Sequence, residues 1–353
     1  MSIRSYPFGQ TASGDAVTAY EITSQDGLRA EVLDFGCILN RLYVPDRQGQ
    51  LADIVLGCDT MDDVMASPHF GSTIGRYGNR IARGHFSLEG NAYQLNCNNG
   101  NNHLHGGHVG LDRRMWRVDA YDPAGHSLVF HYTSMDGEER YPGTMDIVVS
   151  LSLSGRSLTL MYHATTDQPT IINLTNHSYF NLAGHHSGSI LAQQVQIDAD
   201  TYTAVDEELI PVGDTPSVAS SAFDFRQLRA IGAAMEDGKN HPQLQWPACK
   251  GGFDHNFVLN KGMGLEWAAQ ACDPASGRRM TVITDQPGIQ FYTANALSGV
   301  KGKEGAIHEK NAAFCMETQH APDSPNHPEW PSVALLPGRD YDSVTIYQFS
   351  TID

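Results

Sequence analysis

Ile147, Val149, Leu151 and Leu153 fall on one side of an extended chain, and Val148, Ser150 and Ser152 fall on the other. That period of two is the mark of a strand with one buried face. Similar short runs recur along the sequence, joined by turn residues. Turns are predicted at Gln25-Asp26-Gly27, from Asp46 to Gln50, at Glu89-Gly90-Asn91, from Asp122 to Gly125, and at Ser154-Gly155-Arg156. Glycine or asparagine at these places admits the backbone that a tight hairpin needs. Later runs such as QVQIDAD, RMTVITD, IQFYTAN and SVTIYQFS read as further strands. The best helical stretch is FRQLRAIGAAMEDG, with Asp224 as its expected cap. There is no alternation of strand and helix, no repeat period and no linker. The pattern predicts an all-β fold, a large antiparallel β-sandwich with few short helices, formed by residues 1–353 as one domain.

Composition narrows the class. Of 353 residues, 41% are apolar, enough for a full core, and 34 glycines with 17 prolines imply many loops. The formal charge of −17 repels nucleic acid and anionic lipid, so neither is expected as a partner. Cys37, Cys58, Cys97, Cys249, Cys272 and Cys315 show no CxxC spacing, and reduced, buried thiols are expected. MSIRSYPFGQT lacks an apolar core of signal-peptide length, and no run is long enough to cross a membrane as a helix. A soluble cytoplasmic protein, monomer or homodimer, is the expectation.

Five polar clusters interrupt the strand pattern. GSTIGRYGNRIARG sets Arg76, Asn79 and Arg80 among glycines whose spacing matches no phosphate loop; a guanidinium bracing the loop is the structural alternative. NCNNGNNHLHGGHVG places His103 and His105 two apart, on one face if the segment is a strand. A metal there lacks a nearby glutamate, so a hydrogen-bonding pocket is the better reading. NLTNHSYFNLAG puts His177 where a buried strand ought to continue. Its amides and hydroxyls suit a polyol, and Tyr179 with Phe180 offers a flat surface to a sugar ring. GGFDHNFVL carries Asp254 and His255 at a strand start. FCMETQHAPDSPNHPEWPS ends an apolar run on Glu317, a costly place for an acid unless it is hydrogen-bonded or used. Together these suggest acid–base chemistry on a neutral, hydroxyl-rich ligand.

In order and in content these motifs resemble the aldose 1-epimerases, also called galactose mutarotases. IGRYGNRIARGHFSLEGNAYQLNCNNGNNHLHGG is similar to the arginine and histidine loops of that family, and NLTNHSYFNLAG to its central histidine motif. FDHNFVL, GIQFYTAN and METQHAPDSPNHPEWPSVALLPGRDYDSVTIYQFS resemble its later blocks. The resemblance implies a large β-sandwich with an open cleft, no cofactor, and interconversion of the α and β anomers of a free hexose such as glucose or galactose; with no full ligand set around His103 and His105, no metal is expected either. It implies Glu317 as general base and His177 as general acid. It places His105 and Arg80 around the ring oxygen and C1 hydroxyl, with Asn79 beside the arginine, and Asp254 and Gln290 on sugar hydroxyls. Gly78 stands where alanine is commoner in the family, and Ala294 where glycine is.

Anomer exchange needs a proton removed from the C1 hydroxyl while the ring oxygen gains one, then rotation about C1–C2 and closure on the other face. One carboxylate and one imidazole, with ordinary pKa values of about 4.3 and 6.5, are suited to these transfers near neutrality. Three other readings stay open at this level. A glycoside hydrolase would pair Glu317 with Asp254 across a scissile bond. A sugar-binding module would need no acid–base pair. An epimerase of a phosphorylated or related sugar would need more cations at the pocket mouth.

Overall fold

The computed structural model describes residues 2–122, 127–262 and 264–352. Strands dominate, and only three short α-helices occur among the described residues. The largest sheet has nine antiparallel strands. Its order is Arg117–Asp122, Ser127–Ser134, Met145–Ser154, Ser157–Thr166, Tyr341–Thr351, Arg278–Thr284, Glu266–Cys272, Gln194–Ile197 and Arg229–Ala230. A five-stranded sheet follows chain order from Ser2–Gln10 to Leu51–Asp53. A four-stranded sheet runs Ala199–Tyr202, Asp254–Leu259, Gly288–Tyr292 and Cys315–Gln319.

Alternation decides how these sheets meet. Ile147, Val149, Leu151 and Leu153 are buried as predicted, while Val148, Ser150 and Ser152 between them are half-buried. One apolar core gathers these side chains with Leu39, Leu42 and Val44 of the five-stranded sheet and Phe257, Phe291 and Met316 of the four-stranded sheet. The two smaller sheets therefore pack against the large one, as the sandwich pattern requires.

The hairpins at Gln25 to Gly27, Asp46 to Gln50, Glu89 to Asn91 and Ser154 to Arg156 join paired strands as predicted. Residues 123–126 of the turn predicted from Asp122 lie outside the described residues. The predicted helix is shorter than its pattern. It covers Ile231–Asp237, because Arg229–Ala230 is taken up by the edge of the nine-stranded sheet. Asp224 caps no helix; its carboxylate accepts from the Ser220 amide and clamps Arg226. All six cysteines are free, and all but Cys97 are buried. No described helix is long and apolar enough to cross a membrane.

Candidate active site

The four-stranded sheet has two unlike faces. Opposite partners Asn256, Gln290 and Glu317 lie across three neighbouring strands, with Asp254, Tyr292 and Cys315 one pair further on. The period of two turns these residues to one side and sends Phe257, Ile289, Phe291 and Met316 into the core. His255 also goes to the core side, fully buried, with its ring against Phe223 and Tyr202. Three irregular segments, each with a two-residue strand, line the polar face. His69 precedes the short strand Thr73–Ile74, Asn79 and Arg80 follow it, and His105 and His177 come from two further segments. Together they enclose a cavity of about 360 Å³ lined by His69, Asn79, Arg80, His105, His177, Tyr179, Asp254, Tyr292 and Glu317. That volume lies at the small end of ligand pockets.

His177 is held from several sides. Its backbone bridges Ser72 and Gly71, and its ring stacks on Tyr179 at 4.9 Å and 11°. Its Nε2 lies 3.8 Å from Glu317 Oε1, and its Nδ1 lies 3.4 Å from Cys315 Sγ. Burial holds the Cys315 thiol protonated, with its pKa well above the usual value, so the thiol can donate to Nδ1 and leave the Nε2 proton toward the cleft. Burial, with His69 nearby, lowers the His177 pKa to about 3. Burial, reinforced by the Asp254 charge and opposed by Arg80, raises Glu317 well above the carboxylate range. Glu317 Oε2 and Gln290 Oε1 have no hydrogen-bond partner among the described residues.

His105 shows a second built-in orientation. The Asn79 amide donates to its Nδ1 at 3.1 Å, which assigns the ring proton to Nε2. Asn79 and His105 both adopt left-handed backbone, at φ 65° and 52°. Gly106 follows at φ 86°, and a Cβ there would sit 1.7 Å from the Gly75 carbonyl oxygen. The loop can close over Gly75 only with glycine at this position. Arg80 donates to Asn99 at 3.2 Å and stands 3.9 Å from Asp254, whose other oxygen accepts from Gln290 at 2.7 Å. Burial raises the Asp254 pKa, against the pull of Arg80 and Gln290.

All seven residues singled out by the sequence, Glu317, His177, Asn79, Arg80, His105, Asp254 and Gln290, therefore converge on this face. Other expectations fail. His103 and His105 do not share a face, because the left-handed turn at His105 separates them. His103 is bonded to the Asn96 carbonyl and the Tyr141 hydroxyl, both at 2.6 Å, away from the cleft. Arg76 points away too, giving its guanidinium to Ser134, Met135, Pro142 and Gly143 as a loop brace. The amides around His177 hold the protein's own backbone rather than the cleft. Asn173 binds Gly78 and His320, Asn176 binds Gly71, and Asn181 binds Gly188 and Ala312. Phe180 packs on Phe314 and Tyr347 in the core, and only Tyr179 reaches the cavity.

Residues that the sequence reading left out of a ligand set meet in the fold, one of them from the HxH pair. Side-chain ligand atoms of His105, His177 and Glu317 lie within 4.8 Å of one another, as do those of His185, His186 and Glu304. His69, Tyr292 and Cys315 also escaped the sequence reading. His69 sits between Pro68 and Phe70, just before the arginine loop, with no chemical company in sequence to mark it. Ala294, where glycine was expected, has φ 50°, the conformation that favours glycine.

The profile of the aldose 1-epimerase family matches residues 18–348. The chain is 41% identical to a galactose mutarotase of Bos taurus over 352 residues, covering 99% of each. It is 34% identical to the aldose 1-epimerase of Escherichia coli (strain K12) over 328 residues, 92% of each. A solved aldose epimerase homologue from C. elegans superposes with a TM-score of 0.86 at 32% identity, covering 94% of this chain and 98% of that one. A galactose 1-epimerase from Lactobacillus acidophilus, 24% identical, shares the fold with a TM-score of 0.84 over the whole of both chains. The order of motifs, the paired faces of the four-stranded sheet and these likenesses agree that the chain belongs to the aldose 1-epimerase family.

Proposed function

We propose that the protein is a mutarotase acting on free hexoses such as glucose and galactose, and that residues 1–353 work as one domain. The observation that carries this reading is the contact of His177 Nε2 with Glu317 Oε1 at 3.8 Å inside a sugar-sized cavity. Glu317 takes the proton of the C1 hydroxyl and His177 protonates the ring oxygen. Burial pulls both groups toward their uncharged forms. The active ion-pair form contains the same number of protons as the uncharged pair, so the two titrate as a unit. His105 Nε2–H and Arg80 face the oxygen that gains charge as the ring opens. Asp254, Gln290 and Asn79 hold sugar hydroxyls and the arginine. The histidine within reach of Glu317 argues against a hydrolase built on Glu317 and Asp254, which would need no imidazole there.

Arg76 is buried as a brace, so the cleft contains Arg80, already engaged by Asn99, and exposed Lys250. Such a set favours neutral sugars over phosphate esters, and a cytoplasmic setting suits them. We also propose that the three ligand-capable groups act without a metal. Dialysis against EDTA should leave the rate unchanged, and a loss restored by zinc would overturn this point. The decisive experiment is polarimetry of fresh α-glucose and α-galactose with wild type and Glu317→Gln. A loss of kcat by roughly 10²–10⁴-fold is expected. A folded variant within threefold of wild type would sink the assignment and favour a sugar-binding module.

A further inference from the structure

His69 lines the cavity beside His105 and His177, with ring centroids 5.2 Å and 6.0 Å away. Its backbone has φ 61°, a conformation uncommon for any side chain but glycine. Such strain persists where the surroundings impose it, and it gathers at functional sites. One contact holds the side chain. His69 Nδ1 lies 2.9 Å from Asp112 Oδ2, and the Asp112 side chain is only 5% exposed. The Arg113 Nε donates to the same carboxylate oxygen at 3.2 Å. A carboxylate accepts and does not donate, so His69 Nδ1 carries the ring proton. In the neutral imidazole, Nε2 is then a bare acceptor on a ring that lines the cleft. The imidazole side chain remains 29% exposed.

The known groups of the cleft leave a place for such an acceptor. Arg80 and the Nε2–H groups of His105 and His177 are donors, Glu317 is the acceptor at the reacting end, and Asp254 and Gln290 Oε1 are acceptors on the sheet side. A sugar hydroxyl is both donor and acceptor, so each further hydroxyl on the ring needs its own reader.

We propose that His69 is a specificity-determining residue of this enzyme, accepting a hydrogen bond from one sugar hydroxyl through Nε2, and that Asp112 is the positioning residue that fixes its tautomer and its strained pose. The inference rests on reading the cavity as the mutarotase site. It assigns His69 no proton transfer to C1 or the ring oxygen.

The test is steady-state polarimetry of His69→Phe and Asp112→Asn on glucose, galactose, 2-deoxyglucose, 6-deoxygalactose and xylose. Phenylalanine keeps the aromatic plane and removes the acceptor. Asparagine keeps the packing, and its amide can donate to Nδ1, which would turn Nε2 into a donor. Both variants should raise KM by about 3–10-fold, the worth of one hydrogen bond, with a much smaller change in kcat. The penalty should vanish for whichever sugar lacks the hydroxyl that His69 reads. Nitrogen NMR of the His69 imidazole should show the proton on Nδ1 in wild type and its displacement in Asp112→Asn. Unchanged KM values for every sugar in folded variants would overturn the proposal. So would an equal rise for all five sugars with a lowered Tm, which would reduce the pair to a loop brace. Activity surviving in Glu317→Gln would refute the acid–base assignment instead, so the two failures are distinguishable.

Discussion

The strand Cys315–Gln319 has Met316 in the apolar core on one side and Glu317 in the cleft on the other. Its neighbour Gly288–Tyr292 repeats the division with Phe291 and Gln290. The core side is a ring cluster. Phe291 meets Phe225 at 5.4 Å, Phe253 at 5.5 Å and Phe314 at 6.3 Å. The cleft side buries two carboxylates, Glu317 and Asp254, whose raised pKa values record the cost of desolvation. Alternate residues of the same strands thus serve opposite ends. One set stabilises the sheet, and the other costs stability by burying groups that titrate.

The largest expected effect lies on the cleft side. His177→Asn should match Glu317→Gln in losing about 10²–10⁴-fold in kcat, or about 3–5 kcal/mol of transition-state stabilisation. Because both groups serve one ring opening, the double variant should lose less than the product of the two. Polarimetry of the three proteins, with circular dichroism to establish folding, measures this, and full multiplicativity would break the pairing.

The mirror experiment is on the core side. Phe291→Ala should cost about 3–5 kcal/mol of folding stability through the cavity it leaves. Active-site titration below its melting range should find kcat per folded molecule nearly unchanged. A folded Phe291→Ala protein with a large loss of kcat would show that the two faces are not separable.

The arginines offer a smaller contrast. Arg76→Ala orphans buried carbonyl acceptors and should lower stability by about 1–3 kcal/mol. Arg80→Ala should lower kcat/KM by roughly 10–100-fold, or about 1.4–2.7 kcal/mol, with less effect on Tm. Thermal melts and polarimetry of both variants separate the two roles, and an interchange of the two phenotypes would refute them.

The smallest effect is a gain. The Glu317 pKa is raised in the fold, so between its unfolded value of 4.5 and its folded value the native state binds more protons than the unfolded chain. Stability from this group is therefore lost as pH rises through that range. Glutamine cannot ionise, so Glu317→Gln should raise Tm at neutral pH by about 1–3 °C, and the gain should shrink below pH 4.5. His177 has the opposite sign. Its pKa falls to about 3 from 6.5, so the native state binds fewer protons and stability is lost as pH falls through that window. Melting curves from acid to neutral pH for Glu317→Gln and His177→Asn would reveal both slopes, and parallel curves with wild type would contradict them.

The alternation of Ile147 to Leu153 determined by itself that this segment is a half-buried strand, and the turn residues at four of the five hairpins determined their places. Glu317 at the end of AAFCM and His177 within NLTNHSYFNLAG were legible because charge and imidazole interrupt apolar runs, and burying either without use is costly. Tertiary structure decided what local pattern could not. His103 and His105 part company through one left-handed residue, Arg76 turns to a brace while Arg80 turns to the cleft, and the amides of Asn173, Asn176 and Asn181 are consumed by backbone brought from distant loops. The pairing of Asp112 with His69, 43 positions apart, also belongs to the fold alone. The physical reason is range: periodicity and propensity act over a few residues, whereas the orientation of a polar side chain is set by whichever partner the folded chain brings within about 3 Å.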